Sequence, residues 1–143
     1  AMIQGADTRN ENLAVIFVDI DNFKTVVDTY GHLLGSRVLK ELGETMAGCL
    51  APEDLLIKYG GDEYVIVLPG HGRREAVDVA ETILRRIRGS TYLKEEHAPV
   101  RITASFGVSL YPEDASTKKD LLLGADQAMY DVKLSTKNGV GSR

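Results

Sequence analysis

The chain has no tryptophan, a single cysteine, four prolines and no block of like charge. With only Cys49 available, an internal disulfide framework is excluded, and its place on the apolar side of a helical pattern marks it as a buried structural cysteine. A reducing cytoplasm suits it. The longest apolar run, Leu13 to Val18, ends at once in acids, so no transmembrane helix is expected, and no signal-peptide pattern opens the chain. The 17 basic and 21 acidic residues give a net charge of -4 without clustering. That balance argues against a nucleic-acid or anionic-membrane surface, while small anions can still be held locally.

What is present fits one domain over 13–143, preceded by a polar leader over 1–12 whose Ala1-Met2 resembles an expression scar, as in a piece excised from a longer protein. Leu13 to Val18 reads as a strand covered on both faces, hence central in its sheet. A short helix with Phe23, Val26, Val27 and Tyr30 follows, with Asp21 as its N-cap and Gly31 as its end. A turn over 31–36 leads into a second helix bearing Val38, Leu39, Leu42, Met46, Cys49 and Leu50, which stops before Pro52.

From Leu55 to Leu68 two buried-looking arms flank Gly60-Gly61, a pair that readily supplies the positive φ of a tight hairpin turn. Ala76, Ala80, Ile83, Leu84 and Ile87 mark a third helix, and residues 90–99 a loop. Arg101 to Leu110 alternates as a strand with one buried face. Leu121, Leu122, Ala125, Ala128, Met129 and Val132 stripe a fourth helix, and the tail from Asn138 is either frayed or a short edge strand. The order predicts an α+β fold, a palm or ferredoxin-like mixed sheet with helices packed on it and an exposed Gly-Gly-Asp-Glu hairpin.

Asp62 and Glu63 at that tip are ordinary turn residues on the simplest view. If strand 13–20 pairs antiparallel with strand 64–68, however, Asp19 comes beside them. Converging carboxylates repel unless they share a cation, and hard oxygen donors without a cysteine or histidine cluster suit Mg²⁺ and phosphate. Nucleotidyl transfer fits these parts.

Five stretches in order, Val18 to Lys24, Asp28 to Gly35, Lys58 to Tyr64, Ser105 to Val108 and Ala125 to Lys133, resemble the successive motifs of GGDEF domains, the diguanylate cyclases of bacteria. The resemblance covers roughly residues 13–138. It implies a dinucleotide cyclase in which two domains, each with one substrate, face each other as a homodimer. Asp19, the Ile20 carbonyl and Glu63 would hold two Mg²⁺ or Mn²⁺ ions per half-site. Asp62 would be a further ligand or the group that receives the 3′-hydroxyl proton; the resemblance does not divide those roles. Asn22, Phe23, Lys24, Lys133 and Lys137 would hold phosphates, while Val27, Asp28, His32, Ser36, Gly60 and Gly61 would surround base and ribose, His32 shaping the turn and not binding metal.

Several positions depart from the family pattern. Lys137 stands where Arg is usual, replacing a fork by a point charge. Tyr64 replaces Phe. Ala51 replaces the Arg of the product-inhibition motif, so that inhibitory site is expected to be absent, and the usual Leu-Thr-Gly-Leu-x-Asn-Arg leader is missing. Val27 and Ser36 replace the Asn and Asp that read guanine. An Asp carboxylate only accepts hydrogen bonds and so rejects adenine, whereas a Ser hydroxyl donates or accepts. Ser36 resembles the hybrid promiscuous subgroup that makes cyclic GMP-AMP, although Ser is also an ordinary helix N-cap and Val27 an ordinary core residue. On balance the expectation is mixed use of GTP and ATP, giving cyclic GMP-AMP beside cyclic di-GMP. The alternatives are a strict GTP-using diguanylate cyclase and a degenerate nucleotide-binding sensor.

Overall fold

The apolar run at Leu13 forms β1 (Leu13–Ile20), which lies between β3 (Glu63–Pro69) and β4 (Ala104–Tyr111) at the centre of a five-stranded sheet. A computed structural model describes residues 12–142; the expected leader, Asn12 apart, lies outside them. The other elements are α1 (Phe23–Ala47), β2 (Leu55–Lys58), α2 (Arg73–Arg88), α3 (Lys118–Ser135) and β5 (Val140–Ser142). Strand order is β2-β3-β1-β4-β5, antiparallel throughout except for the parallel β4–β5 pair. The first four strands with α1 and α2 make the ferredoxin-like βαββαβ unit. Helix α3 and the edge strand β5 extend it beyond β4.

Alternation along β1 divides the core in two. Ala14, Ile16, Val18 and Ile20 pack with Leu42, Met46, Ile83 and Ile87 of α1 and α2. Leu13, Val15 and Phe17 pack with Leu121, Ala125 and Met129 of α3 on the opposite face. The same division corrects the expectation of a one-faced strand at Arg101 to Leu110, because all eight residues of β4 are buried. Its small polar face lies beneath α3. At Gly107 the helix backbone comes so close that a Cβ would stand 2.1 Å from the Ala125 carbonyl oxygen and 2.3 Å from the Met129 nitrogen.

Helix α1 is less interrupted than the sequence suggests. Gly31 (φ 90, ψ 168) makes a kink, but the helix resumes at once in place of a six-residue turn, and it ends at Ala47, well before Pro52. The two halves touch at Gly35, where a Cβ would lie 3.0 Å from Val27 Cγ2 and 3.4 Å from Phe23 Cζ. Cys49, beyond the helix end, is only half-buried and packs against the larger core.

The hairpin also differs in detail. Neither Gly60 nor Gly61 has positive φ, in contrast to Gly31 and Gly70. The ladder closes at Lys58↔Tyr64, and the turn is held by the Glu63 carbonyl accepting from Tyr59 N (2.9 Å) and Gly60 N (3.3 Å). Only β3 is buried; Leu55 and Ile57 of β2 and Tyr59 just beyond it remain 43%, 45% and 56% exposed, leaving an apolar strip beside α3.

Tyr64, next to the tip, is buried on the α1 side and donates its hydroxyl to the Leu39 carbonyl at 2.5 Å. Burial pushes its pKa up to about 12, so the hydroxyl stays a donor. Tyr64→Phe should therefore lower unfolding free energy by about 1 kcal/mol in urea titrations, the usual net value of one such bond. An unchanged midpoint would show that the bond adds nothing to the hairpin's anchorage.

Candidate active site

The end of β1 gathers the acids. Asp19 pairs in register with Glu63 on one side and Ser105 on the other, and alternation places it with Leu13, Val15 and Phe17 on the face that α3 covers. Ile20 N donates to the Asp62 carbonyl at 3.1 Å, fixing the tip against the strand end. From α3, Lys133 Nζ reaches down to the Ile20 carbonyl (3.1 Å) and to Asp19 Oδ1 (3.3 Å). Asp19, Ile20, Asp62, Glu63 and Lys133 are thus neighbours.

Asp21 is not the N-cap. Its carboxylate is buried and accepts from Thr103 Oγ1 (2.7 Å), Ser105 Oγ (2.7 Å) and Asn138 N (2.9 Å). It ties the ends of β1, β4 and α3 together. Asn22 occupies the cap position instead, in the left-handed region (φ 57), and makes no side-chain cap. Its Oδ1 accepts from Lys137 Nζ at 2.9 Å. The start of α1 also carries no acid in its first turn. The N–H groups of Phe23 and Lys24 therefore head a helix whose positive end is uncompensated, a setting that receives anions. Lys24 itself is exposed and pairs loosely with Asp28, 3.7 Å away.

Charge at the site is strained by crowding. Burial first, then the neighbouring Asp62 and Glu63, raise the Asp19 pKa to about 6 against the pull of Lys133. Glu63 is raised too, by burial and then by Asp62 and Asp126. The Glu63 carboxylate lies over Gly60, where a Cβ would sit 2.5 Å from Oε1, so the glycine makes room for the acid instead of supplying a special φ.

Among the described residues no three His, Cys, Asp or Glu side chains are assembled as a metal site. The donors nevertheless fit a divalent cation. Asp19 Oδ1 is buried outside any well-formed hydrogen bond, and an ammonium already rests on it and on the Ile20 carbonyl. Hard oxygens that converge on a cation are the ligand class Mg²⁺ and Mn²⁺ take.

The remaining predicted positions lie along α1 and the tip. Val27 is half-buried against Gly35 and Phe23, and Ser36 is exposed at a hollow of ≈ 400 Å³ shared with Leu33, Leu34 and Lys40. Asp28 and His32 are exposed on the same helix, Gly61 is open to solvent, and Gly60 lies under Glu63. Ala51 is exposed, and its N–H donates to Asp54 Oδ2 at 2.8 Å, so the acid left in that motif closes its own turn. Sequence reasoning missed Thr103, Ser105 and Asn138 as partners of Asp21. The available signal was the hydroxyls on the small face of the β4 alternation, facing the second acid of Asp19-Ile20-Asp21.

The sequence pattern of the family described as diguanylate cyclase, GGDEF domain, matches residues 1–139. The bifunctional diguanylate cyclase/cyclic di-GMP phosphodiesterase MucR of Pseudomonas aeruginosa is 39% identical over 96% of this chain and 20% of its own length. Diguanylate cyclase A of Treponema denticola is 32% identical over 96% of this chain and 37% of its own. The chain thus spans between a fifth and two fifths of these relatives. The crystal structure of the GGDEF domain of TpbB from Pseudomonas aeruginosa superposes with a TM-score of 0.93 at 32% identity, covering 99% of this chain and 88% of that one. The active GGEEF domain of a diguanylate cyclase from Vibrio cholerae gives 0.90 at 27% identity, with 99% and 88% covered. Five strands in the order found here, the acids gathered at the end of β1 and a match over nearly its whole length place the chain in the GGDEF diguanylate cyclase domain family.

Proposed function

We propose that this domain is a diguanylate cyclase that condenses two GTP molecules into cyclic di-GMP, releasing two pyrophosphates. The observation that carries the proposal is the Asp19↔Glu63 register with Lys133 seated over Asp19. Asp19, the Ile20 carbonyl and Glu63 would hold divalent metal, with Asp62 as a further ligand or proton acceptor. When bound, the metal would acidify the attacking hydroxyl and neutralise charge on the departing pyrophosphate. The start of α1 and Lys24, Lys133 and Lys137 would hold the triphosphate in line. The 3′-oxygen of one nucleotide attacks the α-phosphorus of the other, the bond to the β-phosphate breaks, and a carboxylate at the tip takes the hydroxyl proton. Each site supplies one nucleotide, so ring closure needs a second copy of the domain facing the first.

The relatives named as diguanylate cyclases support GTP-only use better than the mixed use expected from the sequence. Ser36 favours mixed use as a second reading, since its exposed hydroxyl does not reject adenine as a carboxylate does. Incubating concentrated domain with Mg²⁺ and GTP, ATP or both, followed by chromatography, tests both. Cyclic di-GMP as sole product of the mixture removes the second reading; no product despite bound nucleotide removes the first. If cyclic GMP-AMP forms, Ser36→Asp should shift the product ratio towards cyclic di-GMP by about tenfold.

A further inference from the structure

Lys133 stands in two roles that one ammonium cannot fill together. Its Nζ lies 3.1 Å from the Ile20 carbonyl oxygen and 3.3 Å from Asp19 Oδ1, the two donors assigned above to a divalent ion. It is also one of the cations proposed to hold phosphate. An ammonium seated on those oxygens and an ion bound by them at about 2.1 Å would overlap and repel.

We propose that Lys133 is a tethered placeholder cation, which compensates the Asp19–Ile20 donor pair while no metal is bound and yields it when metal and triphosphate arrive together. The inference rests on the reading of the site as a metal–nucleotide site. Asp19 is mostly buried, and leaving its carboxylate there without a counter-charge would be costly. The other acid within reach, Asp21 Oδ1 at 3.8 Å, is committed to Thr103, Ser105 and Asn138, so it offers the ammonium only a loose hold. Metal alone must therefore displace Lys133 from its two nearest oxygens without supplying new partners for it. Phosphate oxygens supply new partners for the displaced ammonium, so metal and nucleotide strengthen each other's binding, and by linkage the effect is reciprocal.

The test is Mn²⁺ binding without nucleotide, followed by electron paramagnetic resonance. Lys133→Met should bind Mn²⁺ about tenfold tighter than the wild type, because the competing charge is gone. Affinity that is unchanged or weaker, with Asp19→Asn still lowering it, overturns the placeholder and leaves the metal site standing. A gain that persists when Asp19→Asn is added places the ion elsewhere and overturns both. The wild type gives a reading that needs no folded variant: the ¹⁵Nζ signal of Lys133 should move when Mg²⁺ and a non-cleavable GTP analogue are added together. A signal that stays in place at saturation overturns the proposal.

Discussion

Asp19→Asn is expected to cut cyclic dinucleotide formation about a thousandfold or more and, at the same time, to make the metal-free domain more stable near neutral pH. The loss follows from removing a charged ligand of the proposed metal, an ion worth several kcal/mol to phosphoryl chemistry. The gain follows from the site's electrostatics. Burial and two neighbouring acids hold the Asp19 carboxyl at about 6, against 3.8 in the unfolded chain. Between those values the folded protein keeps a proton that the unfolded chain has released, so the stability contributed by the neutral carboxyl is complete below the unfolded value and is lost as pH rises through about 6. Asn never ionises and escapes that loss. Urea titrations should show the variant more stable by about 1–3 kcal/mol at about pH 8 and level with the wild type at about pH 4. Equal stabilities at both pH values would mean that Asp19 is not strained, and retained turnover would remove it from the site. In the wild type, Mn²⁺ binding without nucleotide should strengthen as pH rises through about 6, because Asp19 must lose its proton to accept the ion.

Gly107→Val should be at least as damaging, although the position holds no chemistry. A side chain there collides with the Ala125 carbonyl and the Met129 nitrogen, which are backbone atoms and cannot rotate aside. Helix α3 must then lift from the sheet, carrying away Lys133 and the turn that holds Lys137, besides the Leu121, Ala125 and Met129 packing of the smaller core. Overpacking of this kind costs about 3 kcal/mol or more. Urea midpoints measure the first effect and phosphate-dependent nucleotide binding the second. A loss below about 1 kcal/mol would show that α3 can slide over β4 without disturbing the core.

How far the sequence discloses this molecule depends on how local each determinant is. β1, α2 and α3 are legible because their apolar periods report which faces are covered, and the Asp19–Glu63 pairing follows from one antiparallel register. Burial of the second face of β4 was hidden because serine and glycine there look like a solvent face; only contact with α3 shows that their small size serves close packing. Gly60 was legible as a glycine that matters, but for the wrong reason, since Glu63 fills the space of its missing side chain. Asp21 looked like a helix cap because its partners are more than eighty residues away: Thr103, Ser105 and Asn138 carry no local mark of that link.

The exposed apolar strip along β2 and Tyr59 governs how self-association of this domain reads in an assay. Leu55, Ile57 and Tyr59 flank a hollow of ≈ 350 Å³ floored by Val65 and Val67 and walled by Leu121 and Leu122 of α3. Apolar surface of this sort draws copies together in concentrated solution whatever their active sites are doing. A pair held through the strip would then compete with the pair proposed above to face through the acids. Ile57→Lys charges the strip without touching the site, so sedimentation and turnover measured on that variant would separate productive pairing from adhesion.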